Sequence, residues 1–533
     1  MTSLLRLQLR RDRRQLLVWV LAVGILVAGA GSAVVAEFPA ETDRVQLLTL
    51  ALATPALLAL RGVPNGSSTG SLVFFQLFSW LATTVALMNT FLAARHGRGD
   101  EEHGRRELVA ATPVGRTAPV LATVVLGLLA DLAVAVVTTL ALLLVGQDLA
   151  GSALAGLALG VTGAAFLGVG LLASQLLATS RGANAVAGAA VGLAYLLRAA
   201  GDALGTVDLT GLTLRSAWPS WLSPLGWGEQ TLALTADRAW PLLLGVALFA
   251  VTTGAALVLQ SRRNLGQSLL AERRGPATAG RGLRSSAGLA WRLHRPAVLG
   301  WAVGGAVLGL CTGSLASAVA GATEDNPQVA RVLQSLGTGG SADATGLLVS
   351  AVLELVVVLA TAAGVQGVLR LRGEEVDGHA ELLLTSPLTR LRWLGGAVVL
   401  GVVSVLVVLT GLAAASWLSF AVLGDGPHAR SAAGQAFGAL PAALVLVGVT
   451  ALLVTVVPRH CVGLAWSVFA LAVVLGLFGQ LLDLPGWLRD LSPFSHVPTA
   501  PADHLATLVL LLAVTSVLTA GGLLAVRRRE LVA

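Results

Sequence analysis

The chain contains no lysine, so arginine supplies all 35 of its basic side chains. This absence excludes mechanisms that need a catalytic amine. It also excludes the P-loop of ATPases, whose phosphate-binding residue is a lysine. Only two cysteines occur, Cys311 and Cys461, too few for a disulfide framework, and no cysteine–histidine cluster has the spacing of a zinc site. If ATP drives this protein, a separate chain must hydrolyse it.

Charge is also scarce, because only 12% of the residues are charged while 55% are hydrophobic. Soluble globular proteins carry about 25% charged residues. Half that fraction cannot cover the surface of a soluble body of 533 residues. Disorder is excluded as well, because disordered chains combine low hydrophobicity with high charge. The composition therefore predicts an all-α polytopic membrane protein.

Long apolar runs are abundant, and each spanning helix needs about 20 such residues. We predict twelve transmembrane helices. A further apolar run, 47–63, contains Pro55, and we interpret it as an extracellular re-entrant or interfacial segment. The twelve predicted spans are 15–36, 72–94, 118–146, 152–178, 184–201, 240–260, 297–320, 346–369, 393–423, 432–457, 461–482 and 505–526.

The arginines are distributed unevenly over the predicted loops. With the N-terminus inside, 27 of the 35 arginines fall in cytoplasmic segments and 8 fall outside. Arg198, at the outer end of the fifth span, is one of the eight. Because arginine accumulates in cytoplasmic loops, both termini are predicted to be cytoplasmic. The net charge of +7 then reflects topology and not nucleic-acid binding.

One cytoplasmic loop occurs twice. Arg98–Arg116 reads RGDEEHGRRELVAATPVGR, and Arg372–Arg390, 274 positions later, reads RGEEVDGHAELLLTSPLTR. Each copy follows the second span of a six-span block, so the twelve helices form two parallel six-helix repeats. The predicted organisation is a first half at 1–266, a cytoplasmic linker at 267–288 and a second half at 289–533.

The repeated loop combines both signs of charge with a short helical pattern that a proline ends. A short cytosolic helix on two stiff spans suits docking into the groove of a partner protein, with carboxylates on partner arginines and leucines in a pocket. The alternative is a solvated loop with no partner, whose charges only keep it on the cytoplasmic side of the membrane. That alternative explains the arginines, but it does not predict the paired glutamates Glu101/Glu375 and Glu107/Glu381.

These motifs resemble those of a known family of membrane proteins. The duplicated E-x-x-G-x-x-E-L-x-x-x-[TS]-P loop, the twelve spans and a Leu-Ser-Pro before each final span resemble actinobacterial ABC-2-type exporter permeases. Among these, the chain is most similar to the fused-dimer permeases described as exporters of polyketide antibiotics, of the tetronasin-transport type. The resemblance extends over essentially the whole chain. It implies a bacterial plasma-membrane protein that binds no cofactor of its own.

The resemblance further implies two copies of a separate ABC ATPase subunit, which bind the ATP and Mg²⁺. The cytoplasmic loops 95–116 and 370–392 would then couple ATP hydrolysis to transport, with Glu101, Glu107, Glu375 and Glu381 at the ATPase interface. The residues that we predict to form this coupling site are Glu101, Glu102, Glu107, Leu108, Pro113, Glu374, Glu375, Glu381, Leu382 and Pro387.

Two carboxylates lie inside predicted spans, Asp131 in the third and Glu354 in the eighth. Ionisable groups inside a membrane are costly and usually face a cavity or a partner. One interpretation places both on the transport pathway. The other is a protonated or hydrogen-bonded contact between helices, and the sequence does not decide between them.

The leading hypothesis is therefore an ATP-driven exporter permease for hydrophobic or amphipathic compounds, such as polyketide-like antibiotics, drugs or lipids. The alternative is a twelve-span drug/proton antiporter, which also has two parallel six-span halves and a charged loop after spans two and eight. In that case Asp131 and Glu354 carry protons. A membrane enzyme acting on lipids is a third hypothesis, but no histidine–aspartate–serine constellation supports it.

Overall fold

The computed structural model shows an all-α polytopic membrane protein that divides into two compact units, Met1–Arg274 and Gly275–Ala533. The boundary lies inside the predicted linker 267–288. The residues that the structure describes are 2–53, 55–208, 212–270, 277–278, 280–283, 285–325, 344–477, 484–497 and 505–529.

The first unit consists of long apolar helices joined by short connections. A π-helical turn at Arg95–Gly99 and a short helical turn at Asp100–Glu102 extend the helix that ends at Ala94. Two antiparallel strands of two residues each, β1 (Thr206–Val207) and β2 (Leu214–Arg215), precede the short helix that begins at Pro224. Its helices are α1 (Thr2–Glu37), α2 (Glu41–Ala53), α3 (Pro55–Arg61), α4 (Thr69–Ala94), α5 (Arg105–Ala110), α6 (Ala118–Leu144), α7 (Leu149–Leu176), α8 (Ser180–Ala203), α9 (Pro224–Glu229) and α10 (Leu242–Arg262).

The second unit is built in the same way over the residues that the structure describes. Its first helix continues through Pro296 without a break. Its helices are α11 (Ser286–Asp325), α12 (Ala344–Val376), α13 (His379–Leu384), α14 (Arg390–Val422), α15 (Gly426–Gly438), α16 (Leu440–Val456), α17 (Cys461–Leu477), α18 (Gly486–Arg489) and α19 (Leu505–Arg528).

Several helix starts follow directly from the local sequence. The side chains of Asp148, Thr179 and Thr389 each accept a hydrogen bond from a backbone N–H three residues further on, at the start of α7, α8 and α14 respectively. Such N-caps satisfy backbone donors that have no partner within the helix. Short polar residues therefore separate one apolar run from the next, and each apolar run forms a separate helix.

Each of the twelve predicted spans is largely helical over its described residues, with one or two non-helical residues at the ends of several spans, and part of the eleventh lies outside the described residues. Eleven helical segments in that part are long and apolar enough to cross a membrane. The twelfth, α17, has only 17 described residues, and the predicted positions 478–482 lie outside them. The tenth predicted span has a break near Ala439, where α15 ends and α16 begins.

The helices of the two units pack in the same order. In each unit the first span packs on the third, the second on the fourth and the fourth on the sixth. In the first unit these pairs are α1–α6, α4–α7 and α7–α10, and in the second they are α11–α14, α12–α16 and α16–α19. Buried aliphatic side chains fill both cores, for example Leu159 in the first and Leu409 in the second. The repeat read from the loop sequence is therefore also a repeat of helix packing.

The two Leu-Ser-Pro motifs also have one structural role. Ser223 Oγ donates to the carbonyl of Ala194 in α8 at 2.7 Å, and Ser492 Oγ donates to the carbonyl of Ala472 in α17, also at 2.7 Å. Each serine also caps the short helical segment that follows it. The motif thus fastens the segment before the last span of each unit to the preceding span.

The apolar run 47–63 forms two short helices, the second half of α2 and all of α3, with Pro55 in the first turn of α3. Neither is long enough to cross a membrane. Leu48 and Leu58 are buried. These helices pack within the first unit as non-spanning pieces, consistent with our interpretation that this run does not cross the membrane.

Candidate functional site: the repeated loops

Each repeated loop consists of a short helix bounded by a glycine and a proline. Gly104 (φ 67°) precedes α5 and Gly378 (φ 73°) precedes α13, so the two equivalent glycines share a left-handed conformation. Pro113 and Pro387 follow the two helices by three residues. Because side chains disfavour positive φ, glycine allows the sharp turn that redirects the chain after the second span.

The left-handed conformation of Gly378 predicts that two glycine-to-alanine substitutions change the stability of the protein in opposite directions. We expect Gly378→Ala to lower the free energy of unfolding by about 1 kcal/mol, because alanine is strained at positive φ. Gly373→Ala, inside α12, is expected to raise it by about 0.5 kcal/mol through helix propensity. A Cβ meets nothing within 4 Å at either site, so only the backbone conformation differs. Thermal unfolding of the purified protein measures both, and equal effects would contradict the prediction.

Part of the predicted coupling site lies on the surface of its unit. Leu108 is 74% exposed and Leu382 is 71% exposed, although both are large apolar residues on short helices. From the exposed residues of the two loops we take Glu107, Leu108 and Pro113 in the first unit and Glu381, Leu382 and Pro387 in the second, and we name these the exposed loop surfaces. Each surface thus offers a leucine beside a carboxylate, as a protein-docking site requires.

The other two repeated glutamates are buried. Glu101 accepts a hydrogen bond from Arg98 Nη1 at 2.7 Å, and Glu375 accepts one from Arg372 Nη1 at 3.0 Å. Their side chains are 4% and 3% exposed. The structure therefore places Glu101 and Glu375 inside their units and not on the exposed loop surfaces, and a contact with an ATPase at these two residues remains a prediction.

A second arginine binds each buried glutamate from the end of the last span of the same unit. Arg263, just after α10, donates to Glu101, and Arg529, just after α19, donates to Glu375 Oε2 at 2.8 Å. We name these two pairs the loop latches. Neither pair is evident from the sequence. The arginines stood out only as part of basic runs that follow each final span, and 162 and 154 residues separate them from their partners.

The second latch predicts a measurable coupling between its two residues. We expect Glu375→Gln and Arg529→Gln to be non-additive by about 1 kcal/mol or more in unfolding free energy, because each loses the same contact. The matched control combines Glu375→Gln with Arg528→Gln, since Arg528 is exposed and adjacent in sequence. Additive losses in the first pair would contradict the latch.

The two remaining predicted glutamates bind within their own units. Glu102 accepts hydrogen bonds from the backbone N–H (2.9 Å) and the hydroxyl of Ser180, at the start of α8. Glu374 pairs with Arg370 at 2.8 Å and accepts a hydrogen bond from Trp393 Nε1 at 3.2 Å. These contacts hold each loop against neighbouring helices and do not involve the exposed loop surfaces.

Comparison with known proteins identifies the family. The chain is 35% identical, over 99% of its length and 94% of the relative's, to the multidrug efflux system permease protein Rv1217c of Mycobacterium tuberculosis (strain ATCC 25618 / H37Rv). Residues 283–527 also match the model of the C-terminal domain of that permease. The chain belongs to the Rv1217c family of multidrug efflux system permeases. The tetronasin-type subfamily of our resemblance is not among these matches, so it remains a prediction.

In this member of the Rv1217c family, the two intramembrane carboxylates have different surroundings. Asp131 in α6 is 3% exposed and accepts a hydrogen bond from Asn89 Nδ2 in α4 at 2.7 Å. Glu354 in α12 is exposed on the surface of its unit. The geometry thus fits the helix-contact interpretation for Asp131, whereas Glu354 faces away from its own core. Among the described residues, no group of three or more histidine, cysteine or acidic side chains is arranged to hold a metal ion.

A buried charged cluster lies at the other end of the first unit. Arg198, expected from sequence at the outer end of the fifth span, is 1% exposed. It pairs with Asp202 at 3.3 Å and donates to the carbonyl of Ala59 in α3 at 2.9 Å. Glu229 lies 4.0 Å from the guanidinium and accepts a hydrogen bond from Val63 N at 2.5 Å. We name Arg198, Asp202 and Glu229 the outer cluster.

One arginine and two carboxylates share the outer cluster. Burial raises the pKa of Glu229 well above its ordinary range, and the neighbouring Asp202 raises it further. Asp202 accepts further hydrogen bonds from Ser216 at 2.7 Å and Ser220 at 3.1 Å. Through these buried contacts of Arg198, Asp202 and Glu229, the cluster joins α3, α8 and α9.

Proposed function

We propose that this chain is the membrane subunit of an ATP-driven exporter for hydrophobic or amphipathic compounds, such as drugs or polyketide-like antibiotics. The observation that carries the proposal is the duplicated exposed loop surface, with an exposed leucine and glutamate on an equivalent short helix in each unit. Membership of a multidrug efflux permease family supports the substrate class.

The proposed partner is an ABC ATPase present twice, one copy on each exposed loop surface. Two equivalent surfaces call for two copies of one partner. The chain has no lysine for a P-loop, so ATP and Mg²⁺ would bind to the partner and this subunit would hydrolyse nothing. The arginine distribution supports a plasma-membrane orientation with both loops and both termini in the cytoplasm.

The loop latches suggest how force would reach the membrane. When ATP binding closes the ATPases, each pulls on the exposed loop surface of its unit. Glu101 and Glu375 then transmit the movement to Arg263 and Arg529, at the ends of α10 and α19. A short helix held by buried, charge-assisted hydrogen bonds moves with its span instead of bending separately. The latch glutamates are thus positioning residues, and the exposed loop surfaces make the contact.

Co-purification tests this proposal. The full-length chain is tagged, expressed together with its chromosomal neighbours and isolated in mild detergent. We expect an ATPase subunit to co-purify at two copies per chain, as measured by native mass spectrometry. Isolation of the permease alone, from cells in which it confers drug resistance, would contradict the proposal.

A further inference from the structure

A polar cavity lies beside the first repeated loop, between α5 and the end of α10. Its volume is about 390 Å³. Its walls contain three arginines, Arg106, Arg116 and Arg263, together with polar and apolar side chains such as Gln260 and Val109. It adjoins the latch and is separate from the exposed loop surface, to which the proposed function assigns the ATPase.

Positive charge exceeds negative charge next to this cavity. Glu101 is the shared partner of three buried arginines. Arg98 lies 2.7 Å from it and Arg106 3.7 Å, and Arg263 forms the latch. One carboxylate cannot neutralise three guanidinium groups, and buried charge without a counter-ion is costly. Two further carboxylates lie nearby, but Glu102 binds Ser180 and Asp100 forms ion pairs with Arg11 and Arg105.

Two of these arginines have N–H donors that form no hydrogen bond with the described residues. Arg106 and Arg263 are 5% and 4% exposed, and both line the cavity. Arg106 Nη1 and Arg263 Nε are buried without a hydrogen-bond partner among the residues that the structure describes. Burial lowers the pKa of Arg106, and the neighbouring Arg263 and Arg98 lower it further. Buried donors normally have partners. Arg529 Nε, the counterpart of Arg263 Nε in the second unit, is unpartnered among the described residues as well, so Arg106 Nη1 is the donor that indicates a missing acceptor in the first unit.

The second unit lacks this excess. Ala380 occupies the position equivalent to Arg106, and Glu375 is matched by only two arginines, Arg372 and Arg529. The second loop therefore serves as an internal control for the first, because the two loops have equivalent structures and only the first has the third arginine. An alanine at position 106 reproduces a local sequence that the fold already accommodates.

We propose that this cavity binds a phosphate group, which accepts hydrogen bonds from Arg106, Arg116 and Arg263. Planar guanidinium groups match the oxygens of phosphate, and several arginines around one cavity provide the geometry that phosphate binding requires. Two sources have this chemistry, an anionic phospholipid of the adjacent leaflet and free inorganic phosphate. The assignment does not depend on the identity of the energy source, so it can fail or stand independently of the proposed ATPase partner.

The test uses the purified full-length chain in nanodiscs of phosphatidylcholine. In one arm phosphatidylglycerol replaces part of the lipid, and in the other inorganic phosphate is added at constant ionic strength. We expect the unfolding temperature of the wild-type protein to rise in at least one arm. Arg106→Ala is expected to bind roughly tenfold more weakly, because it loses a charge-assisted hydrogen bond. Arg105→Ala is the matched control, since this neighbouring arginine is exposed and pairs with Asp100.

The two arms distinguish the sources of phosphate. A response to phosphatidylglycerol alone identifies a lipid site, and a response to inorganic phosphate identifies a site for the free anion. Arg116→Ala, at an exposed position of the cavity wall, repeats the test in case Arg106→Ala does not fold. If neither arm shifts the wild type, or if both cavity variants respond as Arg105→Ala does, the proposal is overturned.

Discussion

Replacing Leu108 and Leu382 with aspartate is expected to release the ATPase and abolish drug efflux. Both leucines are more than two-thirds exposed on short helices, so the substitution costs the fold little. Central apolar anchors commonly provide most of the binding free energy of an interface. We expect at least roughly a tenfold loss of co-purified ATPase, with normal amounts of permease in the membrane.

Leu269→Asp is the matched control for these loop variants. Leu269 is also an exposed leucine, and it lies in the predicted cytoplasmic linker and is not one of the residues of the exposed loop surfaces. This variant is expected to retain both the ATPase and efflux. The single variants are informative as well, because the neighbouring residues differ, Arg105 and Arg106 in one loop and His379 and Ala380 in the other. Full retention of the ATPase by the double variant would show that the partner binds elsewhere.

Replacing Arg198 with alanine is expected to destabilise the first unit by about 3 to 5 kcal/mol. The substitution leaves the buried carboxyl group of Asp202 without its arginine partner. It also removes the donor that binds the carbonyl of Ala59 in α3. Thermal unfolding of the purified protein should therefore shift far more than for an average surface substitution.

Arg215→Ala controls for the loss of one positive charge in the same region. Arg215 lies in β2 and is exposed, so this variant is expected to change the unfolding free energy by less than about 0.5 kcal/mol. A further variant, Arg198→Met with Asp202→Asn, removes both charges of the pair and should recover part of the stability. Equal, small effects of Arg198→Ala and Arg215→Ala would contradict the buried outer cluster.

Much of the fold could be predicted from the sequence, because membranes impose a strong rule on chain length and polarity. A spanning helix must satisfy its own backbone in about 20 apolar residues, so apolar runs between arginine-rich loops locate the spans. The repeat was also evident, because Gly104 and Gly378, and Pro113 and Pro387, align without gaps. Both pairs prove to bound equivalent short helices.

The sequence alone did not show which charged side chains are buried inside the protein. Glu101 and Glu107 have similar chemistry and both recur in the second loop, yet the first is buried and the second exposed. The difference arises from Arg263, whose approach depends on how α10 packs. Arg198 has one partner at helical spacing, Asp202, but the carbonyls of α3 and the side chain of Glu229 reach it only through tertiary folding. Periodicity locates helices, but pairing over more than a hundred residues requires the packed structure.

The central claim is that a separate ATPase supplies the energy for export through the two repeated loops. The most direct measurement reconstitutes the purified permease in liposomes, with and without the co-purified ATPase, and follows movement of a fluorescent hydrophobic drug. We predict transport only when the ATPase, ATP and Mg²⁺ are all present, and no effect of dissipating the proton gradient. Transport by the permease alone, driven by an ion gradient without nucleotide, would contradict the account.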